Sequence, residues 1–159
     1  MVKWTGIGLL LQIGGAVLII FITERVGEGE TNSSGKNDWR KFSEEIFKAE
    51  GWHRLMIVVI MTVIVEELIF RGPIYITMLF LELPALTWFL IIIIDGVIFG
   101  LVHFKEDSSL PGFFSRSWTG IVLSWLVIKS NSLIPSVSVH ILWSGSFIGI
   151  YYLAAKTSK

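Results

Sequence analysis

Long apolar runs separated by short polar stretches set the pattern of this chain. The first run extends from about Trp4 to Thr23, with Lys3 before it and Glu24 and Arg25 after it. Others follow from about Leu55 to Leu81, Leu86 to Phe104, Ser117 to Ile128 and Leu133 to Ala155. A helix needs roughly 20 apolar residues to cross the hydrocarbon core of a bilayer. The fourth run reaches that length only if Gly112 to Arg116 extend it. Pro135 falls in the first turn of the fifth run, where a missing N–H costs nothing.

The polar stretch between the first two runs opens with GEGETNSSGKND, which cannot bury a core and reads as a loop. Trp39, Phe42, Ile46 and Phe47 then recur at helical spacing among Arg40, Lys41, Glu44, Glu45 and Lys48, the pattern of a helix lying in a membrane interface. The first run lacks a small-x-small cleavage site on its C-terminal side and reads as a retained anchor. The predicted fold is therefore all-α: a polytopic transmembrane helix bundle of about five membrane segments plus an interfacial amphipathic helix. Residues 1–54 form the anchor, loop and interfacial helix, and residues 55–159 the core.

Composition agrees with this pattern and removes several functions. Of 159 residues, 53% are hydrophobic and 16% charged, against about 25% charged in soluble domains. Membrane lipid is thus the expected surroundings. The 13 basic and 13 acidic residues balance, and no basic run is available to neutralise a phosphate backbone, which argues against nucleic acid as a partner. Cysteine is absent, which excludes disulfides, thiolate metal sites and a cysteine nucleophile. Five spans put Arg25, Lys36, Arg40, Lys41, Lys48, Arg54, Lys105, Arg116, Lys156 and Lys159 on one side, and Lys3 and Lys129 on the other. Basic residues accumulate on the cytoplasmic face, so the C-terminus of this integral, multi-pass protein is expected there.

The candidate chemistry lies where charge interrupts the apolar runs. An ionisable side chain at the bilayer centre costs roughly 2.5–3.5 kcal/mol on insertion scales, so each one is a functional hypothesis. Glu66, Glu67 and Arg71 fall within six positions of the second run, and Glu66 lies 11 residues beyond Leu55. At 1.5 Å per residue that is about 16 Å, near the middle of the core. Glu67 and Arg71 are one helical turn apart and form an expected internal ion pair; Glu66, turned by about 100°, is left to meet another helix. Gly72-Pro73 should kink or end the helix. In the third run Asp95, Phe99 and His103 share a face, while Gly96 and Gly100 admit a neighbouring backbone. His140 in the fifth run has Ser136 a turn before it and Ser144 a turn after. Asp95 is a candidate partner for Arg71 or a histidine. Counted along the runs, Glu66 and His140 lie near mid-membrane but His103 lies near the cytoplasmic end, an offset that helix tilt leaves compatible with convergence.

Three short motifs carry a resemblance: Glu66-Glu67-Leu-Ile-Phe-Arg71, Phe99-Gly-Leu-Val-His103 and His140-Ile-Leu-Trp-Ser144. In this order they resemble the EExxxR, FxxxH and HxxxN/D motifs of the CPBP family, which holds CAAX prenyl proteases and bacteriocin-processing or self-immunity (ABI) membrane proteins. The resemblance implies an intramembrane endopeptidase acting on a peptide or protein substrate. By motif, Glu66 and His103 would activate a water, while His140 and the residue at 144 would stabilise the oxyanion; Glu67, Arg71, Phe99 and Asp95 would support them. Ser144 departs from the family's Asn or Asp, and loss of an oxyanion donor costs roughly 2.7–4 kcal/mol, so reduced activity is expected. No cofactor is required by this reading. A zinc version would use Glu66, His103 and His140 as ligands, since two histidines and a glutamate form a known catalytic set, although no HExxH occurs. The alternative function is a non-catalytic immunity or partner-binding membrane protein.

Overall fold

The apolar runs fold as helices because backbone groups deprived of water must bond within their own segment. In the computed structural model the order is α1 (Val2–Val26), α2 (Ser34–Phe80), α3 (Ala85–His103), α4 (Leu110–Ser130) and α5 (Ile134–Thr157). The structure describes residues 2–26, 34–104 and 109–157, with side chains described for 2–19, 21–22, 54–104, 109–146 and 149. Among the described residues there are five helices and no strand. Two stretches, Val2–Ile19 of α1 and Ala85–His103 of α3, are long and apolar enough to cross a membrane.

Three boundaries differ from the sequence reading. The expected interfacial helix and the second apolar run are one continuous α2 of 47 residues, so residue 54 falls inside a helix. Hydropathy changes there, but the i to i−4 backbone bonds that make a helix do not depend on which side chains are apolar. The face of α2 carrying Trp39, Phe42, Ile46 and Phe47 lies outside the described side chains. Gly72-Pro73 does not end α2, which runs on to Phe80. The Thr77 hydroxyl donates to the Pro73 carbonyl oxygen at 2.8 Å one turn later. The short fourth run is extended at its N-terminus: α4 starts at Leu110, with Pro in its first turn and the Ser109 hydroxyl accepting from the Gly112 N–H at 3.1 Å. At the other end, Asn131 adopts the left-handed conformation (φ 50°) that ends α4 and turns the chain into α5.

Packing centres on α4, whose most extensive contact is with α3. Glycines set the approach. A Cβ on Gly96 would stand 2.4 Å from the Ile121 side chain and 2.8 Å from the Ser117 carbonyl oxygen, and one on Gly100 would stand 2.0 Å from the Ser117 hydroxyl. The small-residue pair read from the sequence thus faces α4. On the other side of α4, Val122, Leu123, Leu126 and Val139 form a buried cluster with Trp4, Leu9, Trp118 and Trp125 packed against it. Along α2, Leu55, Val59, Val63, Glu67 and Arg71 are all buried at four-residue intervals. That stripe is apolar for its first three members and charged for the last two.

Candidate active site

The charged end of the α2 stripe begins the site. Glu67 and Arg71 are fully buried, and Arg71 Nη1 lies 3.6 Å from Glu67 Oε1 one turn earlier. Arg71 then turns to two further helices. Its Nε stands 3.5 Å from Asp95 Oδ2 on α3, and its Nη2 donates to the Gly120 carbonyl oxygen on α4 at 3.2 Å. Asp95 accepts a hydrogen bond from the Ser124 hydroxyl at 2.5 Å. Of the partners open to Asp95, the structure selects Arg71 rather than a histidine. The two carboxylates match the charge of the buried guanidinium, and the Gly120 carbonyl takes one hydrogen bond, while Nε and Nη1 make no hydrogen bond among the described residues.

Glu67 has a second task that sequence spacing did not reveal. Its Oε1 lies 2.8 Å from His140 Nδ1, and its Oε2 accepts from the Ser136 hydroxyl. A carboxylate paired with arginine accepts, so Nδ1 of His140 carries a proton and Nε2 is left for other work. His103 is fixed in the same way: its Nδ1 lies 2.8 Å from the Phe99 carbonyl oxygen, which can only accept. Phe99 packs between the two imidazoles, with ring centroids 4.4 Å from His103 and 5.9 Å from His140. The Arg71 guanidinium lies over the same ring at 4.5 Å, and Phe70 meets it edge-on at 5.1 Å.

The Nε2 atoms of both rings lie near Glu66. Its Oε1 is 3.6 Å from His103 Nε2, and its Oε2 is 3.6 Å from His140 Nε2. Its side chain is 24% exposed, against 1% for Glu67, so of the adjacent pair Glu66 is the one a substrate can reach. The depth mismatch expected for His103 does not keep it away. Measured from the 81–84 connection, Glu66 is 14 residues back along α2 and His103 is 18 residues into α3. The antiparallel rises of about 21 and 27 Å differ by little more than one turn, which side-chain reach and tilt absorb. The expected depth was counted from Leu55, which is not a helix end.

Ser144 lies one turn beyond His140 and is partly buried; among the described residues it makes no hydrogen bond with Glu66, His103 or His140. The sequence reading missed Phe70, Ser124 and Gly120, and noted Ser136 without assigning it a partner. Serines in helices carry no distinctive signal, and Gly120 contributes a backbone carbonyl that no side-chain pattern marks. The donor types at Glu66, His103 and His140 suit zinc, but among the described residues no three His, Asp or Glu side chains are grouped as a metal site.

An acid set between two imidazoles, inside an all-helical bundle with two stretches of membrane-spanning length and apolarity, defines a class of helical proteins with a buried polar site. Family comparison specifies the class further: residues 48–146, well over half of the chain, match the family described as Type II CAAX prenyl endopeptidase Rce1-like. The chain belongs to this family of membrane-embedded proteases. Neither the curated proteins nor the solved structures give a match.

Proposed function

We propose that the chain is a multi-pass intramembrane endopeptidase that hydrolyses a peptide bond with a water activated by Glu66. The observation that carries the reading is the position of the Glu66 carboxylate, 3.6 Å from Nε2 of both His103 and His140. That separation is longer than a direct hydrogen bond and brings the carboxylate and both imidazoles within reach of one water lying beside them. Glu66 takes the proton of this water while His103 Nε2 orients it, and the oxygen attacks the substrate carbonyl carbon. His140, its Nδ1 proton held by Glu67 and its Nε2 carrying a second proton, donates to the developing oxyanion, with the Ser144 hydroxyl one turn along α5 as a weaker second donor. Glu66 returns the proton to the leaving amine, which balances the reaction as water added across one amide bond. The substrate is a peptide or protein presented from the lipid phase, with a CAAX-like C-terminal segment the class implied by family membership. The bias of Lys and Arg between the loops supports a cytoplasmic C-terminus.

The departure at Ser144 favours one other reading, a non-catalytic immunity or partner-binding protein built on the same bundle. One experiment decides between them. Purified Glu66→Gln, His103→Ala and His140→Ala variants should each cleave peptide substrate at least about 100-fold more slowly than the parent, the lower end of what a positioned acid or base contributes. Folded variants with undiminished cleavage would exclude the hydrolytic mechanism, and a phenotype that survives Glu66→Gln would establish the binder. Elemental analysis of the same active preparation decides the zinc version. One zinc per chain, with activity lost on chelation and restored by zinc, would make Glu66, His103 and His140 ligands.

A further inference from the structure

The family match begins at residue 48, so α1 lies outside it, yet α1 touches the residue immediately before each of two site groups. On α4, the Thr119 hydroxyl lies 3.2 Å from Gln12 Oε1 and 3.0 Å from the Ser115 carbonyl oxygen, and the next residue, Gly120, supplies the carbonyl that holds Arg71. On α5, a Cβ on Gly8 would stand 2.9 Å from Val139, and the next residue is His140. A third tie fixes the register: the Trp118 indole N–H donates to the Leu11 carbonyl oxygen at 3.1 Å, lying flush over Gly15, where a Cβ would stand 1.9 Å from it. Gly8, Gln12 and Gly15 recur on one face and are all buried. Gln12 is 1% exposed, and its amide nitrogen has no partner among the described residues. A polar side chain placed at such cost in an apolar helix calls for a task beyond anchoring.

We propose that α1 is a positioning element of the active site, with Gln12 and Gly8 setting the placement of the Gly120 carbonyl on Arg71 and of the His140 ring. The route is physical and short. Gln12 holds Thr119 and thereby the α4 backbone at Gly120; Gly120 holds Arg71; Arg71 and His140 share Glu67 Oε1. Gly8 sets how closely α5 approaches at Val139. This inference rests on the hydrolytic reading for its kinetic consequence but not for its structural one.

The test uses the full chain and two readouts. In the first, Gln12→Leu, Thr119→Val and the double variant are compared with the parent in peptide cleavage. The expected result is a fall in kcat of roughly two- to thirty-fold, the range for coupling through packed networks, with KM unchanged. The double variant should be no worse than the single variants, and Thr119→Ser, which keeps the hydroxyl, should restore the rate. Ile13→Ala, on the exposed face of α1, should leave it unchanged. In the second, 15N spectra of the imidazoles are recorded without substrate, the chain having only three histidines to assign. Gln12→Leu should shift the His140 Nδ1 signal, and Ile13→Ala should not. Folded Gln12→Leu and Thr119→Val with parental kcat and an unmoved His140 signal would overturn the proposal. A shifted signal in a protein that cleaves nothing would uphold the positioning role while refuting the protease reading.

Discussion

Two adjacent glutamates divide the work of the site by direction alone. Glu67 points along the buried stripe of α2 into a set of partners from two other helices, counting Ser136 and His140 on α5 and, through Arg71, Asp95 on α3. Glu66 points away, to a gap between two imidazoles. The difference predicts opposite stability behaviour. Glu67→Gln removes one of the two counter-charges of a fully buried arginine and should cost about 3 kcal/mol, the low end for a broken buried pair because Asp95 remains. Glu66→Gln removes a partly exposed charge that pairs with no arginine or lysine among the described residues and should change stability by no more than about 0.5 kcal/mol. Chemical unfolding of the two variants in the same detergent measures the contrast. Equal losses would mean that both carboxylates are structural.

Residue types and spacing went a long way toward this site. Four-residue separation gave the Glu67–Arg71 pair and the shared face of Asp95, Phe99 and His103, because helical geometry alone fixes those relations. Partners contributed by a different helix were legible only where charge or an imidazole marked them. Ser124 and Ser136 carry no such mark. Gln12 did carry one, as a lone amide inside the first apolar run.

At the scale of elements, apolar runs gave the five helices but not all their ends. The second and fourth runs understate α2 and α4: α2 takes in the expected interfacial helix, and α4 begins at Leu110, before the Gly112 to Arg116 extension. Contact between elements was clearest where small residues recur. Gly96 lets α3 lie against α4 so closely that a Cβ would meet two backbone atoms, the Ser117 carbonyl oxygen at 2.8 Å and the Ile121 nitrogen at 3.0 Å. Backbone cannot rotate aside as a side chain can. Gly96→Ala should therefore push the helices apart and destabilise the fold by about 1–3 kcal/mol. Gly14, where a Cβ would meet nothing within 4 Å, is the matched control. Gly14→Ala should leave stability unchanged or slightly raised, as alanine favours helix. Thermal unfolding followed by circular dichroism distinguishes the two; equal behaviour would mean that the α3–α4 approach is looser than described.

At the scale of the molecule, α2, α3, α4 and α5 each contribute to one buried charged centre. A membrane-embedded protease has to keep charge and water together where lipid excludes both. Here the arginine is neutralised by carboxylates from α2 and α3, and Phe99 packs against the arginine and both imidazoles, leaving Glu66 as the accessible group. Family membership joins the chain to proteolysis, and the position of Glu66 is what the proposed mechanism rests on. The account depends on that carboxylate lying between the two rings, which is measurable without a substrate. In 15N spectra of the imidazoles, assigned with His103→Ala and His140→Ala, the Glu66→Gln substitution should shift the Nε2 signals of His103 and His140 together. If Glu66→Gln leaves both signals in place, or moves only one, the carboxylate does not bridge the two rings and the proposed centre does not exist.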